Sequence, residues 1–156
     1  MTTLSFPDIR DVLPHRGSML FQDEIKDFSA EQSTCAYRVP YDSWNADETH
    51  SMPAWFGIEV MAQAVAAHVA LTAIFRGDQP KPGALLGSRD FRSKMAAFPP
   101  GSELLTTARR EFIDDSGLGV YVCEIALAGQ TIASATLKVY EPHDFNAFLA
   151  NGTQAS

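Results

Sequence analysis

From Thr49 to Phe75 the chain reads T-H-S-M-P-A-W-F-G-I-E-V-M-A-Q-A-V-A-A-H-V-A-L-T-A-I-F. From Pro53 onward only Glu59, Gln63, His68 and Thr72 interrupt a predicted helix that is apolar on every side. Such a helix belongs in a core or in a membrane. It is long enough to span a bilayer. Glu59, Gln63 and His68 would be expensive at that depth, however, and the segments that follow alternate as a soluble sheet does. The reading is therefore a core helix and no membrane span, with alanines that let another layer approach closely.

The rest of the chain supplies that layer. Residues 5–14 predict a short helix with Phe6, Ile9 and Leu13 on one face, Ser5 or Asp8 as cap and Pro14 as stop. A turn over His15–Ser18 follows. Met19–Phe28 and Thr34–Val39 read as a strand hairpin, and residues 40–48 as a polar loop around Trp44. The long helix should stop near Arg76-Gly77-Asp78, where glycine accepts a left-handed backbone. Strands follow over residues 84–91, 103–113, 118–127 and 131–140, and residues 94–98 are ambiguous. The turns between strands are Pro99-Pro100-Gly101, Asp114-Asp115-Ser116-Gly117 and Ala128-Gly129-Gln130. In Leu118–Leu127, Val120 and Val122 share one face, and Tyr121, Cys123, Ile125 and Leu127 share the other. A short helix over 144–149 and a frayed end over 151–156 are expected last.

A hairpin, one long apolar helix and then antiparallel strands make an α+β arrangement with the helix on one face of the sheet. A sheet of this length curls under its own twist. Curled around such a helix it makes a hotdog fold. One domain is expected over residues 1–156, with 1–14 a helical lead-in and 143–156 a tail. One sheet does not cover a helix on all sides, so a dimer is expected.

A net charge of -7, with no basic cluster interleaved with aromatics, argues against nucleic acid as the main partner. The first twenty residues lack the pattern of a secretory signal. Cys35 and Cys123 lie far apart in strands, which favours reduced core thiols over a disulfide or metal site. The cytosol is the expected compartment. No His, Cys and Asp spacing suggests a metal.

Chemistry concentrates at the helix start. Glu59, in the first or second turn, costs free energy on an apolar helix unless it is paired, hydrogen-bonded or protonated. The helix N-terminus favours its charged form and desolvation its neutral form, which are the opposing influences an acid/base catalyst near neutral pH uses. The plainer reading is a carboxylate that bonds the free amides of the first turn. Gln63, one turn further on the same face, is spaced to orient Glu59 or to bond a loop carbonyl. His50 precedes the helix and carries a ring that titrates near neutrality; a loop histidine facing water is the alternative. In its turn, His15 suits a structural part better than a catalytic one. His68, mid-helix, reads as a core or interface histidine. The amides of Ala54, Trp55 and Phe56 open the helix, and helix-start amides hold developing oxyanions, although every helix offers them.

Three stretches in order resemble the hotdog-fold 3-hydroxyacyl-acyl-carrier-protein dehydratases of fatty acid and polyketide synthesis. Leu13-Pro14-His15-Arg16, followed by Met19-Leu20-Phe21-Gln22-Asp23, resembles their L-P-H-R opening and first strand. Met52-Pro53-Ala54-Trp55-Phe56-Gly57-Ile58-Glu59-Val60-Met61-Ala62-Gln63 resembles their helix start. Phe91-Arg92 and Pro100-Gly101-Ser102-Glu103-Leu104 resemble a later strand and turn. The resemblance spans residues 13–104. The short loop and the M-P-x-W-x-G-[IL]-E helix start are most similar to the dehydratase-like proteins of aryl polyene pigment clusters.

The resemblance implies dehydration of a 3-hydroxyacyl thioester to the trans-2-enoyl thioester. It implies a histidine as base at C2, an Asp or Glu at the other subunit's helix start as proton donor to the departing hydroxyl, and helix-start amides that polarise the thioester carbonyl. Glu59 falls on the acidic position, Gln63 on the family's glutamine and Ala54 on its carbonyl-binding glycine. The family's G-H-F-P signature is absent. Its histidine position, counted back from Glu59, falls on Asn45, and His50, nine residues before Glu59 in a shortened loop, takes the base role. The expected catalytic residues are thus His50 and Glu59, with Ala54, Trp55, Gln63 and Phe91 binding substrate. No metal and no cofactor are expected. The acyl group would arrive on the phosphopantetheine arm of an acyl carrier protein. Lys81, Arg89, Arg92, Lys94, Arg109 and Arg110 are docking candidates, each equally readable as solvated strand face. The dimer is expected to be a homodimer or a heterodimer with another hotdog protein. Two other readings stay open: a hotdog acyl thioesterase in which Glu59 activates water, and a non-catalytic subunit that pairs with an active dehydratase and shapes its tunnel.

Overall fold

The apolar run forms one helix, α2 (Gly57–Phe75), entered through a 3-10 turn over Ala54–Phe56, in the computed structural model, which describes residues 5–80 and 83–141. Its end is the motif the glycine predicts. Gly77 adopts φ 83°, its amide donates to the Ile74 carbonyl at 3.0 Å, and that of Asp78 donates to Ala73 at 2.9 Å.

Before it come the short helix α1 (Ile9–Val12), capped by the Asp8 carboxylate on the Arg10 amide, and the hairpin β1 (Glu24–Phe28) and β2 (Gln32–Arg38). A two-residue strand β3 (Met52–Pro53) leads into the helix. After it come β4 (Ala84–Ser93), β5 (Ala97–Phe98), β6 (Glu103–Ile113), β7 (Leu118–Leu127) and β8 (Gln130–Tyr140). Six strands form one antiparallel sheet in the order β1-β2-β6-β7-β8-β4. The chain leaves β2, runs through α2 and enters the opposite edge at β4. The helix therefore lies across one sheet face, the hotdog arrangement expected from the sequence.

The β7 alternation comes out as read: Tyr121, Cys123 and Ile125 are fully buried, while Val120 and Val122 are half-buried. Tyr121, Cys123 and Ile125 share the core with Val60, Met61, Ala64, Ala67 and Leu71 of α2. Each large apolar side chain so buried contributes about 1.5–3 kcal/mol. At the helix start, Gly57 brings α2 close to the sheet. A Cβ there would meet Ile125 Cδ1 at 3.3 Å, Phe98 at 3.5 Å and Phe91 at 3.6 Å. Ala54–Phe75 is long and apolar enough to cross a membrane, yet half of its most apolar window is buried against its own sheet. The stripe Ile58, Ala62, Ala66, Val69 and Ala73 is left partly exposed, as expected where one sheet wraps one helix.

Two local expectations shift. The first strand was expected from Met19 but begins at Glu24. The reason is a change of hydrogen-bonding partner: the Phe21 amide donates to Gln63 Oε1 at 2.7 Å, and Gln22 Nε2 donates to the Val60 carbonyl at 2.7 Å. This segment is therefore tied to α2 rather than to a neighbouring strand. The ambiguous stretch 94–98 contains β5, which pairs with β3 and clamps the loop entering the helix. Lys81, the tail 143–156 and the expected helix over 144–149 lie outside the described residues.

Candidate active site

The site is best built outward from Gln63, which is 1% exposed. Its Oε1 accepts from the Phe21 amide, and its Nε2 donates to the Met19 carbonyl at 2.8 Å and to Glu59 Oε1 at 2.9 Å. The backbone partners fix which end of the amide is which, because an N–H needs an acceptor and a carbonyl a donor. Gln63 thus fastens the segment after the L-P-H-R turn to α2 and holds the Glu59 carboxylate in one orientation. The helical i, i+4 spacing brings the pair together. Glu59 is not the buried carboxylate read from the apolar pattern: its side chain is 39% exposed within the chain, because it faces the side that the sheet leaves uncovered.

His15 stands beside it, with Nε2 3.9 Å from Glu59 Oε1 and a side chain 30% exposed. Its Nδ1 is buried and meets no hydrogen-bond partner among the described residues. The turn that presents the ring is tied by Arg16. Its guanidinium donates to the carbonyls of Leu13 at 2.6 Å, His15 at 2.7 Å and Arg10 at 2.7 Å. His15 also lines a groove of about 420 Å³ that runs along α2 past Ala62, Val65, Ala66 and Val69 to Leu85 and Val139. No spacing or periodicity joins residues 15 and 59, since the two meet only where α1 docks on α2. The L-P-H-R motif was the available signal.

His50 sits elsewhere within the chain. Its Nδ1 is 3.3 Å from Asp42 Oδ1, and its ring stacks on Tyr41 at 4.4 Å. Its backbone has φ 62°, held by a turn in which Asp47 Oδ1 accepts from Thr49 and Ser51. Those bonds, the Thr49 hydroxyl first, lower the Asp47 carboxyl below its ordinary value. No ion pair or hydrogen bond joins His50 to Glu59 among the described residues. Asn45, at the family's histidine position, is buried; its Oδ1 accepts from the Ser43 hydroxyl, while its Nδ2 meets no partner among the described residues.

Of the helix-start amides, that of Ala54 is already engaged, donating to the Ala96 carbonyl at 2.9 Å. That of Trp55 opens the helix, where no intrahelical acceptor precedes it, whereas the 3-10 turn over Ala54–Phe56 turns the Phe56 amide onto the Pro53 carbonyl. The Trp55 ring is largely exposed beside Phe56. Trp44 donates its indole N–H to Ser18 and packs edge-on against Phe56. The half-buried Phe91 lies against the helix start at Gly57.

The remaining candidates are structural. His68 is fully buried, with Nδ1 2.7 Å from Ser33 Oγ and its ring between Phe28 and Tyr121. Desolvation, with Arg110 adding to it, lowers its pKa to about 4. Cys35 and Cys123 are free and buried, and burial pushes both thiols up to about 12. Among the described residues no three metal-ligating side chains gather.

Comparison with known proteins bears on this geometry. A family model described as ApeP dehydratase, of the ApeP-like family, matches residues 7–150. A chain of the dehydratase heterocomplex ApeI:P from Xenorhabdus doucetiae is similar at 25% identity. The match covers 94% of this chain and 98% of that one, with a TM-score of 0.85. The PaaI protein of the phenylacetic acid degradation operon of E. coli aligns at 15% identity over 76% of this chain and 82% of that one, TM-score 0.59. A hypothetical thioesterase with coenzyme A from Streptococcus pneumoniae aligns at 13% identity over 75% and 83%, TM-score 0.60. The last two share the fold alone. No curated protein matches.

Proposed function

The chain belongs to the ApeP-like dehydratase family, and from that premise we propose that it removes water from a 3-hydroxyacyl thioester in aryl polyene synthesis, leaving the trans-2-enoyl thioester. Glu59 is the proton donor to the leaving hydroxyl. The observation that carries this role is its carboxylate in the first turn of α2, held by Gln63 and neighboured by a histidine that lines an apolar groove. Gln63 keeps Glu59 aimed, and the acyl chain lies along Ala62, Val65, Ala66 and Val69. The thioester carbonyl meets the amide of Trp55, with the rings of Trp55 and Phe91 flanking the helix start. His50, given the base role in the shortened loop, reaches such a substrate only if a second subunit brings its own Glu59 to that loop.

The acyl group is carried on the phosphopantetheine of an acyl carrier protein. Arg89, Arg92 and Lys94, exposed on and just after β4, support docking of an acidic carrier. A second hotdog protein is the proposed partner. Likeness to a chain of a dehydratase heterocomplex supports this, as do the edge of β4, unpaired among the described residues, with Leu85 and Leu86 exposed, and the partly exposed stripe of α2. The chain is a soluble protein, and the two core thiols favour the cytosol as its compartment.

The test is direct. The purified chain, with any hotdog subunit that co-purifies, is given 3-hydroxyacyl pantetheine thioesters, and enoyl absorbance and free thiol are followed together. Enoyl formation without thiol release is expected. Thiol release without enoyl would assign a thioesterase, and neither product from any chain length would refute catalysis by this protein.

A further inference from the structure

We propose that the acyl groove opens, past Val69, into a second and polar chamber, where Glu141 receives a hydroxyl carried on the far end of the acyl chain; this deepens the proposed function and rests on its placing that chain along α2. The chamber has a volume of about 610 Å³ and lies between the C-terminal half of α2 and the turn that joins β6 to β7. Val69 and Glu141 line both the chamber and the groove of about 420 Å³, so the two spaces adjoin there. Their walls differ. Along α2 the groove presents Ala62, Val65, Ala66 and Val69, whereas the chamber adds Thr72, Arg76, Arg110 and Tyr121. Asp114 and Asp115 line it as well. With both signs of charge present, a neutral hydroxyl suits the chamber better than a carboxylate or an ammonium.

The strands position the acceptor. β8 ends at Tyr140, and Glu141 follows it, its amide donating to the Gly117 carbonyl at 2.8 Å. Arg110 and Tyr121 are paired across β6 and β7. The fully buried Tyr121 donates its hydroxyl to Glu141 Oε1 at 3.0 Å. Among the described residues no ion pair and no second side-chain hydrogen bond engages this half-buried carboxylate. Removed from water, a carboxylate calls for several donors, so Glu141 keeps an open acceptor position. Burial raises its carboxyl above the ordinary value, against the pull of the Tyr121 bond and of Arg110 and Arg76. An alcohol hydroxyl both donates and accepts, and so pairs with this carboxyl in either protonation state. A methyl end takes water from it and returns no bond.

The helix also gauges the chain. Glu59 and Val69 both lie on α2, about 15 Å apart at the helical rise. An extended acyl chain, with carbon–carbon bonds of about 1.5 Å, covers that in roughly a dozen carbons. A shorter chain leaves its end on the apolar wall, and a longer one delivers it to Glu141. The preferred end group should therefore reverse with chain length.

The experiment uses acyl pantetheine thioesters that lack the C3 hydroxyl and so offer nothing to dehydrate. They are made as methyl-ended and ω-hydroxy pairs of about eight and about fourteen carbons. Calorimetry gives Kd for the parent, Glu141→Leu and Glu141→Gln, each purified with any hotdog subunit that co-purifies, and circular dichroism and thermal unfolding check the fold. In the parent the long ω-hydroxy probe should bind at least about tenfold more tightly than its methyl-ended twin. The short pair should show the opposite order, because its hydroxyl is stranded on an apolar wall. In Glu141→Leu the two long probes should come within about threefold of each other, while Glu141→Gln, which keeps an acceptor oxygen, should retain part of the preference. A merely structural part for Glu141 would weaken both long probes alike. The subsite is refuted by the same order at both lengths in the parent, by no binding of either long probe, or by the full preference in Glu141→Leu. Since these probes are read without turnover, a parent that shows the reversal but forms no enoyl product from 3-hydroxyacyl thioesters refutes the dehydration and keeps the subsite.

Discussion

Replacing Gln63 with leucine tests whether one buried amide holds both the fold and the site. The side chain makes three hydrogen bonds: from the Phe21 amide, to the Met19 carbonyl and to Glu59. Leucine is close in volume, so the cost comes from the partners left behind rather than from a cavity. Phe21 is 2% exposed, and its orphaned amide loses about 1–3 kcal/mol. The Met19 carbonyl belongs to an exposed residue and turns to water at a cost of under about 1 kcal/mol. Together these predict a loss of about 2–3 kcal/mol, or a Tm lower by about 5–10 °C in a domain of this size. Glu59, already partly in solvent, loses its orientation, and kcat should fall about tenfold for each 1.4 kcal/mol of alignment lost. Urea unfolding measures the first effect as a lower midpoint at unchanged slope, and enoyl formation measures the second. Gln63→Glu keeps the acceptor for Phe21 while setting a second carboxyl against Glu59, so it should recover part of the stability and none of the activity. A midpoint unmoved by Gln63→Leu, at the parent's slope, would refute the reasoning, since an unpaired buried amide has to cost free energy.

Three further outcomes are expected. His68 stays neutral in the folded chain down to about pH 4, against an ordinary value of 6.5. The unfolded state therefore binds more protons between these values, and stability falls as pH drops through that window, by about 3 kcal/mol in all; His68→Gln, which retains a partner for Ser33, should flatten that slope in urea titrations at stepped pH. Cys35 and Cys123, both fully buried, should react with a thiol reagent only at the rate of global unfolding, and rapid labelling of the native chain would contradict their place in the core. Ala66→Phe narrows the groove beside α2, so kcat/KM for long acyl thioesters should fall by at least about tenfold while short ones are spared; an equal loss for all lengths would remove the acyl chain from this groove.

Particular residues mark how far the sequence could be read. Its strands after the helix are legible almost to the residue: Glu103–Ile113 and Leu118–Leu127 have the expected bounds. The Gly77 stop follows from a left-handed backbone that glycine accepts at low cost. The strand expected from Met19 is shorter because Phe21 and Gln22 spend their hydrogen bonds on Gln63 and Val60, a choice no periodicity encodes. The helix-start carbonyl site narrows to Trp55 because Ala96, just before β5, takes the Ala54 amide and the 3-10 turn takes that of Phe56, and β5 itself was ambiguous in sequence.

The sequence by itself determined that a helix apolar on every side must be wrapped by its own strands, and that Glu59 and Gln63 share a helical face. Both follow from local geometry, the 3.6-residue turn and the two-residue pleat, which adjacent residues impose on one another. Only the tertiary structure decided which histidine stands by Glu59. That depends on where α1 and the segment after it dock against α2, through the bonds of Gln63 to Met19 and Phe21, contacts between segments far apart in the chain. The family's spacing falls on Asn45, with His50 the candidate in the shortened loop, and within the chain the packing of the L-P-H-R turn brings His15 to 3.9 Å from Glu59.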